Sequence, residues 1–268
     1  MYKNQYDDSI TTWSPEGRIH QVEYAMETVK MGTASVGVKS KTHAVLCSLQ
    51  RSLSELASHQ KKIFDIDNHC GVAISGMTAD ARVLLRWMRN ETVNHKFVYD
   101  SPLLTSRLVT KLVDKSQTHT QQAGRRPYGV GLMIAAYDQT GAHIYETCPS
   151  GVMYDWKAQS IGNRCQSART YLEKHIDSIE TSDREQLILH AVRALRDTLS
   201  SNQTAEQIKD KEPTELNVKN CAIGIVGKDE DFHLLTETEI AHYLKIVEDG
   251  SATGQQEPVA SSSMAVDQ

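Results

Sequence analysis

The predicted order of elements is strands, two helices, strands, two helices, strands and a final helix, which points to an α/β (α+β) sandwich of two stacked antiparallel sheets with helices outside each. Two observations carry this fold class. Helices come in pairs between blocks of strands, whereas alternating βαβ winding needs one helix between successive parallel strands. Within the blocks, short β-branched and apolar runs are joined by polar or glycine turns, the pattern of hairpins and meanders. With 268 residues the chain is long enough for one large core, and no repeat at a fixed period divides it.

Taken in order, residues 1–13 are polar with little periodicity and are expected to form a flexible arm. Pro15 and Gly17 impose a turn, one by fixing φ and lacking an N–H, the other by admitting conformations closed to other residues. From 18 to 30 neither residue type interrupts, and Ile19, Val22, Met26 and Val29 recur at helical spacing, which predicts an amphipathic helix. Residues 33–39 and 43–49 alternate around the polar SKT and predict a hairpin; 63–66 and 70–75 predict two further strands. Thr78 is read as the N-cap of a helix over 79–95 with Asp80 in its first turn and Val83, Leu84, Trp87 and Met88 inward. Leu104, Leu108 and Leu112 mark a second helix starting near Pro102. Strands over 130–137 and 143–147 follow, then helices over 164–178 and 182–199. Residues 200–213 are polar and read as a surface connection, 218–226 and 232–235 as a closing strand pair, and 237–247 as a last helix. The expected organisation is an arm over 1–13, one domain over 14–248 and a disordered tail over 249–268, whose Gly, Ser, Ala, Gln and acids have almost nothing to bury.

Composition narrows the function classes. Apolar residues make up 39%, charged residues 24%, and the formal charge is −5, so a broad nucleic-acid surface is not expected. Arg125 and Arg126 are too few for one and are read as part of a loop at a subunit contact. No apolar run reaches the roughly eighteen residues that span a bilayer, and the first residues lack a signal-peptide pattern, so no membrane partner and a cytoplasmic and nuclear location are expected. The five cysteines are widely spaced and the eleven histidines lie in no HxH or HxxxH pair. Neither a disulfide framework nor a metal site is expected, and no cofactor.

The string SPEGRIHQVEYA at 14–25, with Tyr6-Asp7 before it and Gly32-Thr33 after it, closely resembles the N-terminal signature of proteasome alpha-type subunits. The resemblance continues through QKKI at 60–63, SGMTADAR at 75–82, RRPYGVG at 125–131 and QSARTYLEK at 166–174, and leaves out only about the last twenty residues. It implies the four-layer α-β-β-α sandwich of N-terminal-nucleophile hydrolases. It further implies a noncatalytic subunit that shares a seven-membered ring with six other alpha subunits, stacks on a beta ring, and helps gate substrate entry in ubiquitin-dependent degradation.

The catalytic members of that fold use an N-terminal threonine freed by cleavage of a Gly-Thr bond, with its own α-amine as base. Gly32-Thr33 matches such a bond, and Lys62 falls where active beta subunits carry their catalytic lysine, which leaves a threonine peptidase starting at Thr33 as the alternative. Two features oppose it. In the uncleaved chain the Thr33 nitrogen is an amide without useful basicity, and Leu49 stands where active subunits have an aspartate. No catalytic residue is therefore assigned.

The resemblance suggests other roles. Lys62, on its own a lysine beside another lysine, matches the residue that pairs with the C-terminal carboxylate of a proteasome activator or regulatory-particle ATPase. Gly32, Gly76 and Met77 match positions lining that pocket, the glycines allowing close approach of an incoming backbone; otherwise they are turns at strand ends. Tyr6, Asp7, Pro15 and Tyr24, with the turn at Gly17, match the cluster that holds the arm in the open gate, and Tyr24 is expected to donate to the Asp7 carboxylate. Many alpha subunits read Tyr-Asp-Arg here; Asp8 in the third place removes any ion pair of that arginine.

Overall fold

The computed structural model of the chain describes residues 5–52, 54, 56–199 and 215–252. The readings of 200–213 as a connection, of 253–268 within the tail and of 1–4 within the arm lie outside the described residues. The first helix, α1 (His20–Met31), precedes the hairpin β1 (Ser35–Lys39) and β2 (His43–Leu49), then β3 (Ile63–Asp67) and β4 (Cys70–Gly76). The paired helices α2 (Thr78–Tyr99) and α3 (Thr105–Gln121) lead into β5 (Val130–Asp138), β6 (Gly141–Thr147), β7 (Met153–Trp156) and β8 (Ala158–Ile161). After α4 (Cys165–Lys174), α5 (Ile176–Thr181) and α6 (Arg184–Asp197) come β9 (Cys221–Gly227), β10 (Glu230–Leu234) and α7 (Glu237–Ala252).

Among the described residues the strands form two five-stranded sheets, in the orders β10-β9-β2-β1-β8 and β3-β4-β5-β6-β7, with every neighbouring pair antiparallel. Period-two alternation decides what each face meets. On β2, Val45, Cys47 and Leu49 pack with the buried residues of α4, α6 and α7, while Ala44 and Leu46 point into the layer between the sheets. On β5, Leu132, Ile134 and Ala136 join the inner faces of α2 and α3, while Met133 and Ala135 face the other sheet. Strands covered on both faces read as continuous apolar runs, which is why β2, β4 and β5 were plain in the sequence. The α-β-β-α sandwich with an extra N-terminal helix is the observed architecture.

Several local expectations change. Thr78 is the first helical residue; Met77 is the N-cap and supplies no side-chain cap, and the Thr78 hydroxyl instead receives the Gln60 amide. Val83 is 54% exposed, so the inner face of α2 is carried by Ala81, Leu84, Leu85 and Met88. Met26 lies outward on α1, whose buried residue is Ala25. The helix expected over 164–178 breaks at His175, which ends α4 and caps α5, its ring stacked 4.2 Å from Tyr171. Strands β7 and β8 were not read from the sequence; they carry the chain from the edge of one sheet to the edge of the other around Lys157. Helix α7 runs through Ala252, past the expected domain end at 248, because the Gly250 it passes weakens a helix without ending it.

Candidate functional site

The candidate site is built where α1 meets the ends of β1 and β4. The turn before α1 closes through Ser14: its N–H donates to Arg18 O (2.9 Å), its carbonyl takes the Gly17 N–H (2.9 Å), and its hydroxyl takes the Arg18 N–H (3.1 Å). Gly17 sits at φ +76, the conformation for which the turn needs glycine. The expected Tyr24 contact is present, with the phenol donating to Asp7 Oδ2 at 3.2 Å, and the Gln21 amide holds the Asp7 carbonyl. Asp7 is thus fixed to α1 by both its backbone and its carboxylate. Tyr6 and Pro15 are both exposed.

At the other end of α1, Gly32 closes the helix by donating to Val29 O (3.2 Å). The space a side chain at Gly32 would need is filled by Ser75 and by Gly76 N, and a side chain at Gly76, itself at φ +111, would strike Gly129 O. The Cβ position of each glycine is thus taken by the chain's own atoms, so both must be glycine for β4 and the end of α1 to meet. Ser75 Oγ donates to Val29 O (2.9 Å), so β4 and the end of α1 are locked together. Met77, 43% exposed, stands at the mouth of this junction.

Next to Gly32, the Thr33 hydroxyl donates to Leu49 O at 2.6 Å, and Lys62 Nζ donates to that hydroxyl at 2.8 Å and to the Thr33 carbonyl. Lys62 is only 6% exposed, and burial pushes its pKa down to about 7. A lysine beside a lysine ordinarily reads as solvated; this one is buried against Thr33. The hydroxyl's single proton lies on Leu49 O, and the Thr33 nitrogen is a peptide amide, so neither a nucleophilic oxygen nor an amine base is assembled.

Lys62, Gly32, Gly76 and Met77 thus come together around the β1–β4 junction, and Asp7 with Tyr24 lies further along α1. Sequence reasoning missed a group beside them. Asp80 is 6% exposed and takes both arms of Arg126, at 2.6 and 2.8 Å, and the Gly129 N–H at 2.9 Å. The Arg126 hydrogen bond outweighs burial and holds the Asp80 carboxyl below its ordinary range. Arg126, read as a subunit-contact residue, is an intramolecular partner here; the signal available was the acid and the arginine in two of the quoted strings. Among the described residues no group of three or more His, Cys, Asp or Glu is placed to hold a metal, and no helix is long and apolar enough to cross a membrane. All five cysteines are free thiols, with Cys47 and Cys221 Sγ 3.8 Å apart in the core.

Fold and site define a sandwich of the N-terminal-nucleophile hydrolase type whose threonine is preceded by a helix and a turn of the same chain. Residues 29–209 match the proteasome subunit family and residues 6–27 match the N-terminal signature of A-type proteasome subunits, and the chain belongs to this family. It is 57% identical over 248 residues to "Proteasome subunit alpha type-1" of Dictyostelium discoideum, covering 92% of this chain and 96% of that one. It is 49% identical over 249 residues to the protein of that name from Drosophila melanogaster (93% and 86% covered). It is 46% identical over 273 residues to "Probable proteasome subunit alpha type-6" of Schizosaccharomyces pombe (99% and 96%).

Proposed function

We propose that the chain is a noncatalytic structural and gating subunit of the proteasome core. It occupies one place in a seven-membered alpha ring beside six other alpha subunits, rests on a beta ring, and acts in the cytoplasm and nucleus in ubiquitin-dependent degradation. The observation that carries the noncatalytic reading is the Thr33 hydroxyl, whose proton is on Leu49 O while Lys62 donates to it. The arm held through Asp7 and Tyr24 supports the gating role, because a hydrogen bond between arm and helix gives the arm a preferred position. Lys62 with Gly32, Gly76 and Met77 is the pocket that would take an activator's C-terminal carboxylate. Lys62 must leave Thr33 to do so, and the carboxylate would compensate its charge better than a hydroxyl and a carbonyl.

The test is native purification of the tagged chain followed by intact-mass measurement. The expected result is a large particle of many related subunits in which this chain keeps the residues before Thr33, with peptidase activity that survives Thr33→Ala. A chain beginning at Thr33 would establish the peptidase alternative. A stable monomer of 29.9 kDa would overturn ring membership.

A further inference from the structure

Half-buried Gly76 and exposed Met77 form one wall of the candidate pocket, yet neither is held by its own side chain. Gly76 has a backbone conformation open only to glycine, and Met77 caps α2 without a capping hydrogen bond. What fixes them lies across the junction. Met77 N donates to Gly129 O at 2.8 Å, and Gly129 N donates back to Asp80 Oδ2 at 2.9 Å, so residue 129 is bracketed by the first turn of α2 in both directions. Contact is close as well: a side chain at Gly129 would meet Met77 Sδ at 2.9 Å, and one at Gly76 would strike Gly129 O. The 126–129 segment cannot shift without moving Gly76 and Met77. One end of this segment runs into β5, where Val130 pairs with Gly76, and the other is held by the fork of Arg126 on the buried Asp80 carboxylate.

We propose that Asp80 and Arg126 form a positioning pair that sets the pocket wall for an incoming carboxylate-terminated peptide. This rests on the reading of Lys62, Gly32, Gly76 and Met77 as an activator-tail pocket and extends it to two residues that would not touch the tail. The first turn of α2 has no side-chain cap, and the clamp ties it to the 126–129 segment. Asp80→Asn keeps the size of the side chain but weakens the fork and replaces one acceptor oxygen with a donor, against either Arg126 or the buried Gly129 N–H.

The experiment uses the assembled particle carrying Met77→Cys in this subunit. The probe is a synthetic peptide copying the C-terminus of a regulatory-particle ATPase, with a cysteine for disulfide capture, compared with its C-terminal amide. Asp80→Asn and, separately, Arg126→Gln are expected to raise the half-saturating peptide concentration about threefold to tenfold, the coupling usual within one hydrogen-bonded network, with the capture plateau and incorporation into the particle unchanged. Arg126→Gln is the milder variant, since Asp80 keeps its bond to Gly129. Unchanged half-saturation in both, while Lys62→Ala raises it, would overturn the positioning pair and leave the pocket standing. If Lys62→Ala is also without effect, or the amide is captured equally well, the pocket reading itself falls and the pair with it. Loss of incorporation in both variants would make the pair a folding element and overturn the positioning role.

Discussion

The Lys62 ammonium lies 2.8 Å from the Thr33 hydroxyl, and that hydroxyl points its proton away, onto Leu49 O at 2.6 Å. The same two residues that would be nucleophile and helper in an active threonine peptidase are therefore joined as acceptor and donor. Lysine here stabilises the start of β1 and stays buried, with a pKa lowered to about 7. If these residues form the proposed pocket, that value predicts docking that depends on pH in the neutral range.

Two opposite pH slopes follow from Lys62. The unfolded chain binds a proton that the folded chain releases between about 7 and the ordinary lysine value, so intrinsic stability rises with pH across that window. A docked carboxylate favours the ammonium, so docking weakens as pH rises from about 6 to about 9, by less than tenfold per pH unit. Lys62→Met should flatten both slopes, read by thermal unfolding of the chain and by activator-stimulated hydrolysis in the particle. A wild-type slope kept in the variant would assign it to another group.

Tyr24→Phe deletes one hydrogen bond, the 3.2 Å contact to Asp7, and leaves the ring in place. The bond is exposed to solvent, so its loss is a small effect, and if this arm shares control of entry with others, as proposed, activator-stimulated peptide hydrolysis should fall about twofold. Gln21→Ala, which frees the Asp7 carbonyl, should act in the same direction. Stimulated rates equal to wild type in both variants would mean that Tyr24 and Gln21 only order the arm.

What could be read from the chain beforehand divides along physical lines. Strands such as β2 and β5 declared themselves because both faces are covered, and the Tyr24–Asp7 bond because phenol and carboxylate fall in one short signature. Leu49 in place of an acid is a covalent fact and needed no fold. The short edge strands β7 and β8 did not declare themselves: Met153, Tyr154 and Asp155 are exposed, and the chain changes sheets at Lys157. The break at His175 has no Gly or Pro to announce it, only a ring stacked on Tyr171. Lys62 burial and the Asp80–Arg126 fork arise from contacts between distant segments, the latter 46 residues apart, which local pattern does not contain.

Gly71 tests the layer between the sheets. It lies on β4 where a side chain would overlap the ring of Phe232 from β10, and Gly224 on β9 faces the same ring, with Cζ 2.8 Å from where a Cβ would sit. The ring is rigid and 8% exposed, so it cannot turn aside as a methionine tail could. Gly71→Ala should therefore destabilise the chain by about 1–3 kcal/mol in urea unfolding, and adding Phe232→Leu should recover part of that loss. Gly71→Ala at wild-type stability would mean that the sheets part at little cost.

Glu230 tests how the helical layer is fastened to the sheet. Its carboxylate, 23% exposed, takes Arg184 of α6 at 3.0 and 3.1 Å and lies 3.2 Å from His43 Nε2 of β2, so one acid joins β10, α6 and β2. Burial raises its pKa, but the Arg184 hydrogen bond and charge, with smaller contributions from His233 and His43, outweigh it and leave the pKa below the ordinary value. A carboxylate with a depressed folded pKa contributes stability that is fully present above the unfolded value and is lost as pH falls through the folded one. Glu230→Gln should thus cost about 1–2 kcal/mol near neutral pH, and the gap to wild type should shrink as pH falls below the ordinary glutamate value and through the depressed folded one, where the wild-type side chain becomes neutral. Urea unfolding of both chains at neutral and acidic pH reads this directly. A gap that persists at low pH would assign the loss to the shape of the side chain, and the charge of Glu230 would then have no part in holding α6 to the sheet.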